Sequence, residues 1–425
     1  MVYCCKKNMN KKKIVIVGCG IVGCIAAILL KQKKHDVLMY EKSGQIGGVL
    51  NDYKIFDDYF MRGPQYFDAS SKNFKILKRL FPNEFSTFKY DYGVFSKFNN
   101  NEIVSSKFSL PIFQEKNIDL KNLKLKKVNQ KNLKDRLSLY PNKINESLIK
   151  YLKKINIDPS KFSPSASINL AIDRVSISNL DQDLLKLKKK NKLIDSLYAI
   201  ERDKLKKKNL NYAYPSKGYT IFFKKLLNKM NKLGIKIMLK NNIEPIWKQN
   251  NLKLFNGNQE IKSNYIFWSG NPTNLIKSYN KTNIDSFLFK NLIINANLLN
   301  FLNIKKFIQV YDTNSNINRI HIYKYNNISK LSVESDFVNE EPKKILLEAK
   351  NILKKFKIKI VLDEKTINKR SNPRFDITSL RDTKIIQKFL KSTRKTNLLF
   401  SPWLIYGRDE KIFSVINNLK NKKLL

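Results

Sequence analysis

The chain has 425 residues, and its 82 Lys and Arg against 35 Asp and Glu give a formal net charge of +47. Two histidines argue against a His-based metal site or a Ser-His-Asp triad, and four cysteines confined to positions 4, 5, 19 and 24 make no disulfide framework. The excess charge is lysine spread along the whole length, without a helix-turn-helix, zinc or RNA-reading motif. Nucleic acid is therefore not the expected partner, although a positive field draws in an anionic small molecule.

The first element is Ile14–Leu30, an uncharged run behind three lysines. A signal peptide, a membrane helix and the opening of a nucleotide-binding domain all begin this way. The run is shorter than the roughly 20 residues a spanning helix needs, and its glycines are placed for chemistry. Gly18, Gly20 and Gly23 spell G-x-G-x-x-G between the apolar strand Ile14–Val17 and a helical stretch Ile25–Leu30. A second strand, His35–Tyr40, ends at Glu41. In this arrangement the first glycine permits a tight turn, the second lets a pyrophosphate approach the backbone, and the third lets helix and strand pack closely. The helix N-terminus offers free N–H groups to the phosphates, and Glu41 offers acceptors to a ribose diol. No integral membrane segment is expected, the reducing cytoplasm is the expected location, and Met9 is an alternative start to Met1.

Beyond Glu41 lie Lys42 and the paired Gly47-Gly48, where backbone again approaches a cofactor. Gly63 stands in the segment Phe60–Asp68, and a helical pattern then runs to Leu80 before Pro82. From about 110 to 205, Leu and Ile at helical spacing alternate with lysine-rich positions, broken at Pro141, Pro159 and Pro164. Tyr212–Thr220 precedes a helix, and strands follow at Ile235–Leu239, Leu252–Phe255 and Tyr265–Gly270. Residues 290–335 read as strands of a separate sheet, and helices begin at Glu341 and Asp409. The expected fold class is α/β. A discontinuous dinucleotide-binding Rossmann-like domain is assembled from 12–90, 206–272 and 385–425, with a helical subdomain at 91–205 and an antiparallel β-sheet substrate subdomain at 273–384.

Glu41-Lys42, Gly47-Gly48, Gly63-Pro64-x-x-Phe67, Pro215-x-x-Gly218-Tyr219-Thr220 and Arg319-Ile320-His321-x-Tyr323-Lys324 together resemble UDP-galactopyranose mutases and their wider relatives, the FAD-dependent amine oxidase and protoporphyrinogen oxidase-like flavoproteins. The resemblance implies FAD as cofactor, with Gly63 beside the flavin. It implies a nucleotide-sugar or related anionic substrate in cell-surface polysaccharide biosynthesis, with the reduced flavin acting as nucleophile. It also implies Arg319 and Arg202 as diphosphate ligands, with Tyr323 and Tyr406 at the substrate. No side chain is assigned as catalytic. The chain departs from the mutase pattern at Gln65, where the family carries His, in having no Trp between 100 and 200, and in the segment Leu399–Leu404, which does not itself contain the Gly-Arg pair that the family carries near the end. An amine-oxidase-like oxidoreductase and an inactive flavin- or nucleotide-binding relative remain alternatives.

Overall fold

The structure is a computed structural model, described for residues 10–425 except 56–57, 64, 72–73, 90, 107–108, 115–129, 179–181, 200–210, 250, 285–286, 301–305, 326, 337–339, 378, 400–402 and 405–407. Strand β1 (Lys13–Val17) carries the opening apolar run, with Ile14, Val15 and Ile16 fully buried. The glycine loop leads into helix α1 (Ile21–Gln32), which buries Gly23, Ala26 and Ala27 among larger apolar residues and so lies close on the sheet. Strand β2 (Asp36–Tyr40) runs parallel to β1, with Tyr40 opposite Val17. A short hairpin follows, β3 (Tyr53–Ile55) and β4 (Asp58–Phe60).

Strands β5 (Asp91–Phe98) and β6 (Asn101–Ser105) pair antiparallel. Helix α2 (Asn142–Lys154) buries Ile144, Leu148, Tyr151 and Leu152, the three-and-four spacing of a one-sided helix. Strand β7 (Tyr212–Pro215), helix α3 (Tyr219–Lys232), and strands β8 (Lys236–Met238) and β9 (Tyr265–Trp268) come next. Four long strands then follow: β10 (Phe287–Asn297), β11 (Lys306–Asp312), β12 (Ile317–Tyr325) and β13 (Ile328–Ser335). The chain closes with α4 (Pro342–Lys355), β14 (Asn368–Ile377), α5 (Leu380–Ser392), β15 (Leu398–Leu399) and α6 (Arg408–Asn421).

Two sheets organise these elements. The first has the order β8-β2-β1-β9-β15 and is parallel throughout. Its strands come from three distant parts of the chain, so the Rossmann-like unit is discontinuous. Helices α1, α3 and α6 share one core with β1, through Ile25, Phe222, Leu226, Ile412 and Leu419. The second sheet has seven strands in the order β14-β10-β13-β12-β11-β5-β6, antiparallel except for the β5–β11 pair. Its first residues, 91–105, fall where the sequence reading places a helical subdomain. Val94 and Phe95 are buried there, and the strand pairing of this stretch comes from β11, more than 200 residues away. Helices of the insertion begin at Leu133 among the described residues. No helix among the described residues is long and apolar enough to cross a membrane.

The seven-stranded sheet has two unlike faces. Ile308, Val310, Ile320, Ile322, Leu331 and Val333 pack under α4. Side chains alternate along a strand, so Gln309, Arg319, His321, Tyr323, Lys330 and Glu334 project from the opposite face. That face is polar and also largely buried: Gln309, His321, Lys330 and Glu334 are each 2% exposed or less.

The C-terminal helix closes the first domain. Leu419 is 1% exposed in the core shared with α1, and the His35 Nε2 lies 3.1 Å from the Leu424 carbonyl oxygen. Leu419→Ala is expected to lower stability by about 2–4 kcal/mol in urea denaturation, the cost of a core cavity. An unchanged midpoint would mean that the terminal helix does not belong to this core.

Candidate functional site

The glycine loop is a place where backbone meets backbone. Gly18 has φ +99°, and a Cβ there would stand 2.8 Å from the amide nitrogen of Gly270. A Cβ on Gly23 would strike the carbonyl oxygen of Gly18. Gly20 differs from both: it is the N-cap of α1, has no side-chain cap, and a Cβ placed on it would meet nothing within 4 Å. That open space lies where the first N–H groups of the helix have no intrahelical partner. Gly47 packs on the loop from the other side, its N–H donating to the Cys19 carbonyl at 2.8 Å. Gly48 lies against Gly20, so that a Cβ on Gly48 would stand 3.5 Å from the Gly20 Cα. Lys42 is exposed beside them.

Glu41 fixes the loop. One carboxylate oxygen accepts from the Cys19 N–H at 2.8 Å and the other from the Ser43 N–H at 2.9 Å. Each oxygen keeps a further lone pair for a diol. Burial, with Glu41 adding to it, pushes the Cys19 thiol up to about 12, so it stays protonated and unreactive. An open, uncapped helix start with an acid at the end of the second strand fits a bound dinucleotide.

A second set of contacts pins the loop from Met61 to Gln65 between α3 and the polar face of the sheet. The Tyr219 hydroxyl donates to the Gln65 carbonyl at 2.7 Å, and the Met61 N–H donates to the Tyr323 hydroxyl at 3.1 Å. Gly63, at φ +85°, makes the turn between them. Asp52, which the sequence reading passed over, caps α3. It accepts from the Thr220 N–H at 2.9 Å and from the Tyr325 hydroxyl. Burial raises its pKa against these hydrogen bonds, and its second oxygen is buried without a partner. Gly218, at φ +84°, leaves the room that the Tyr325 hydroxyl occupies. Only the Pro215-x-x-Gly218-Tyr219-Thr220 segment hinted at this junction.

On the polar face several of these residues are paired within the sheet. Arg319 forms an ion pair with Glu334 at 3.3 Å, and its Nε donates to Gln309 at 3.2 Å. Burial works against its charge, but Glu334 holds its pKa above the ordinary value. Arg319 thus has a carboxylate partner within the sheet. Tyr323 is 2% exposed, stacks on His321 at 4.8 Å and, through its hydroxyl, helps to hold the Met61–Gln65 loop. Arg202 and Tyr406 lie outside the described residues. Lys330 is fully buried and bound to Asp58 and Asn297, with the Phe60 ring 4.1 Å from its ammonium. These contacts tie the β3–β4 hairpin across the sheet. Among the described residues no cluster of His, Cys, Asp and Glu is placed to hold a metal.

Burial depresses the His321 pKa from 6.5 to about 3, so the ring is neutral in the folded protein at physiological pH. The unfolded ring takes its proton near pH 6.5. The stability carried by the neutral ring is therefore complete above that pH and is lost as pH falls towards 3, at roughly 1 kcal/mol per pH unit. Urea denaturation of the wild type between pH 7 and 4 is expected to show this slope relative to His321→Phe. Parallel curves for the two proteins would contradict it.

The profile of the NAD(P)-binding Rossmann-like domain matches residues 16–82. Among curated proteins, 109 residues are 31% identical to a 4,4'-diaponeurosporene oxygenase of Staphylococcus haemolyticus, over 23% of this chain and 20% of that protein. Another 49 residues are 39% identical to an L-amino-acid oxidase of Demansia vestigiata, over 12% of this chain and 10% of that protein. The chain thus spans a fifth or less of the length of the curated relatives it matches. Among solved structures, reduced UDP-galactopyranose mutase superposes with a TM-score of 0.70 at 12% identity, over 98% of this chain and 95% of that one. A putative protoporphyrinogen oxidase from Exiguobacterium follows with a TM-score of 0.64 at 13% identity, over 98% and 99%. Cyclohexylamine oxidase from Brevibacterium oxydans gives 0.59 at 9%, over 96% and 100%. Over nearly its whole length the chain therefore shares the fold of the mutase and of both oxidases.

Proposed function

We propose that this protein is an FAD-dependent enzyme acting on a small anionic metabolite. The observation that carries the reading is the open space at Gly20, framed by Gly18, Gly23, Gly47 and Gly48 and closed at one end by Glu41. The N-terminus of α1 would hold the cofactor's diphosphate, Glu41 its ribose hydroxyls, and Lys42 would stand at the rim. Gly63 and the pinned Met61–Gln65 loop would border the ring system. Bound FAD supplies either hydride acceptance or, when reduced, a nucleophilic nitrogen.

The chain's own residues set the surroundings. Neutral His321 and paired Arg319 give the sheet face donors and acceptors without a net cationic charge from that pair. Asp52 is a carboxyl with a raised pKa at the junction of α3 and the sheet, hydrogen-bonded to Tyr325. Such a group is suited to keeping a proton where water is excluded. The correspondence of nearly the whole chain with a mutase supports a nucleotide-sugar substrate and an isomerisation. The names of the curated relatives, an oxygenase, an amino-acid oxidase and a 1-hydroxycarotenoid 3,4-desaturase, support the second reading, an oxidoreductase.

Gly20→Ala separates cofactor binding from folding. Its φ of −68° suits any residue, and the added methyl meets no protein atom. Stability is expected to stay within about 1 kcal/mol of wild type, while FAD affinity falls tenfold or more on the order expected for a blocked phosphate approach. Gly23→Ala should instead unfold the protein, because its methyl meets the Gly18 carbonyl. Glu41→Ala should weaken FAD and also cost about 1–3 kcal/mol by stranding the buried Cys19 N–H. Equilibrium dialysis with FAD and urea denaturation of each variant check this. Wild-type FAD affinity in Gly20→Ala would remove the proposed site.

A further inference from the structure

Beside the hairpin lies a cluster that the glycine cradle does not use. Tyr53, in β3, is 8% exposed. The guanidinium carbon of Arg62 lies 4.3 Å from its ring centroid, and that of Arg370, in β14, lies 4.5 Å from the same centroid. The two cations are therefore within about 9 Å of each other, on a ring whose π-face attracts both. Arg62 belongs to the pinned Met61–Gln65 loop and Arg370 to the edge strand of the seven-stranded sheet. The cluster thus joins the Met61–Gln65 loop to the edge of the seven-stranded sheet through Tyr53.

Neither guanidinium is neutralised. Among the described residues, Arg319 is paired with Glu334 and Arg174 with Asp173, whereas neither Arg62 nor Arg370 forms an ion pair. The Arg62 Nε is buried with no hydrogen-bond partner, and Arg370 reaches the Lys54 carbonyl through one terminal nitrogen at 3.3 Å. Two of the chain's eleven arginines are held together at a cost in repulsion, with donors unused. A buried donor without a partner and a pair of unneutralised like charges both favour an incoming anion. Guanidinium forks match phosphate oxygens in geometry, and stacking on Tyr53 restricts the planes of the forks.

We propose that Arg62 and Arg370, held on Tyr53, form the subsite for a phosphate or diphosphate group of the substrate. This rests on the reading of the protein as an FAD-dependent enzyme with an anionic substrate, and it moves the anion-binding role from Arg319 to a pair with no carboxylate partner. The diphosphate of the cofactor is already provided for at Gly20, so the clamp is free for the substrate.

Calorimetric titration of FAD-loaded protein with inorganic pyrophosphate at fixed ionic strength tests the assignment. Wild type is expected to bind one pyrophosphate. Arg62→Gln and Arg370→Gln should each weaken it about tenfold or more, and Arg370→Lys severalfold, since lysine keeps the charge without the fork. Lys369→Gln, an exposed neighbour off the ring, should leave it unchanged and so controls for the general positive field. FAD content should stay at wild-type values in the Arg370 and Lys369 variants, which lie outside the loop that would border the ring system. Failure of wild type to bind, or unchanged affinity in the glutamine variants, would overturn the proposal. Loss of FAD in those variants, with pyrophosphate competing against FAD, would give the clamp to the cofactor and overturn its assignment to substrate. The same titration on FAD-free protein keeps the two readings apart. Arginine-dependent pyrophosphate binding without any FAD binding sustains the clamp and sinks the flavin reading, while FAD binding without pyrophosphate does the reverse.

Discussion

Close approach of backbone to backbone at the glycine loop is the constraint on which the rest of the structure depends. Gly18 meets Gly270 from the loop after β9, Gly23 meets the carbonyl of Gly18, and Gly47 meets the carbonyl of Cys19. Each contact joins a different part of the chain to the first turn of α1. Any side chain at Gly18 or Gly23 would push these parts away, while at Gly20 a side chain would fill only the open space. Glu41 then locks the loop with two hydrogen bonds from backbone N–H groups. The helix start is left with donors aimed into that space, the physical basis for anion binding at such positions.

The second constraint is the unequal sheet. An apolar face under α4 accounts for its stability. The other face carries buried polar groups that a purely structural sheet would not need, and its charged members are paired within the sheet or with the hairpin: Arg319 with Glu334, Lys330 with Asp58 and Asn297. Desolvated charges of this kind are retained at a cost. Here they fix the β3–β4 hairpin and the Met61–Gln65 loop over the sheet, so that the loop bearing Gly63 and Arg62 is held from both sides. Asp52 does the same at α3, where it accepts from the Thr220 N–H in the first turn of the helix.

The cradle was legible in the sequence because its parts lie within about 30 residues, the length of one βαβ unit, and each glycine has a local reason. The discontinuity of the domain was legible from apolar strands that end in small residues, as at Ser269-Gly270. What escaped was set by register across long separations. Arg319 and Glu334 look unrelated along the chain, yet strand pairing places them opposite each other, and that pairing neutralises the arginine. Tyr323 sits further along the same face and is buried by a loop some 260 residues away. The strands at 91–105 take their place in the sheet only when β11 supplies a partner from more than 200 residues away. Asp52 carries no motif of its own. Its role appears only when Gly218, Tyr325 and the start of α3 come together. The pair Arg62 and Arg370 was invisible for the same reason, since only the fold brings both to Tyr53.

The central claim is that this cradle holds a flavin dinucleotide. The most direct measurement is the visible absorption spectrum of the purified protein after incubation with FAD and removal of free cofactor, with NAD+ and NADP+ titrated in parallel. The account predicts a flavin spectrum with one FAD per chain, perturbed from that of free FAD, and no comparable binding of either nicotinamide dinucleotide. A colourless protein that binds NAD+ or NADP+ instead, or no dinucleotide at all, would contradict it.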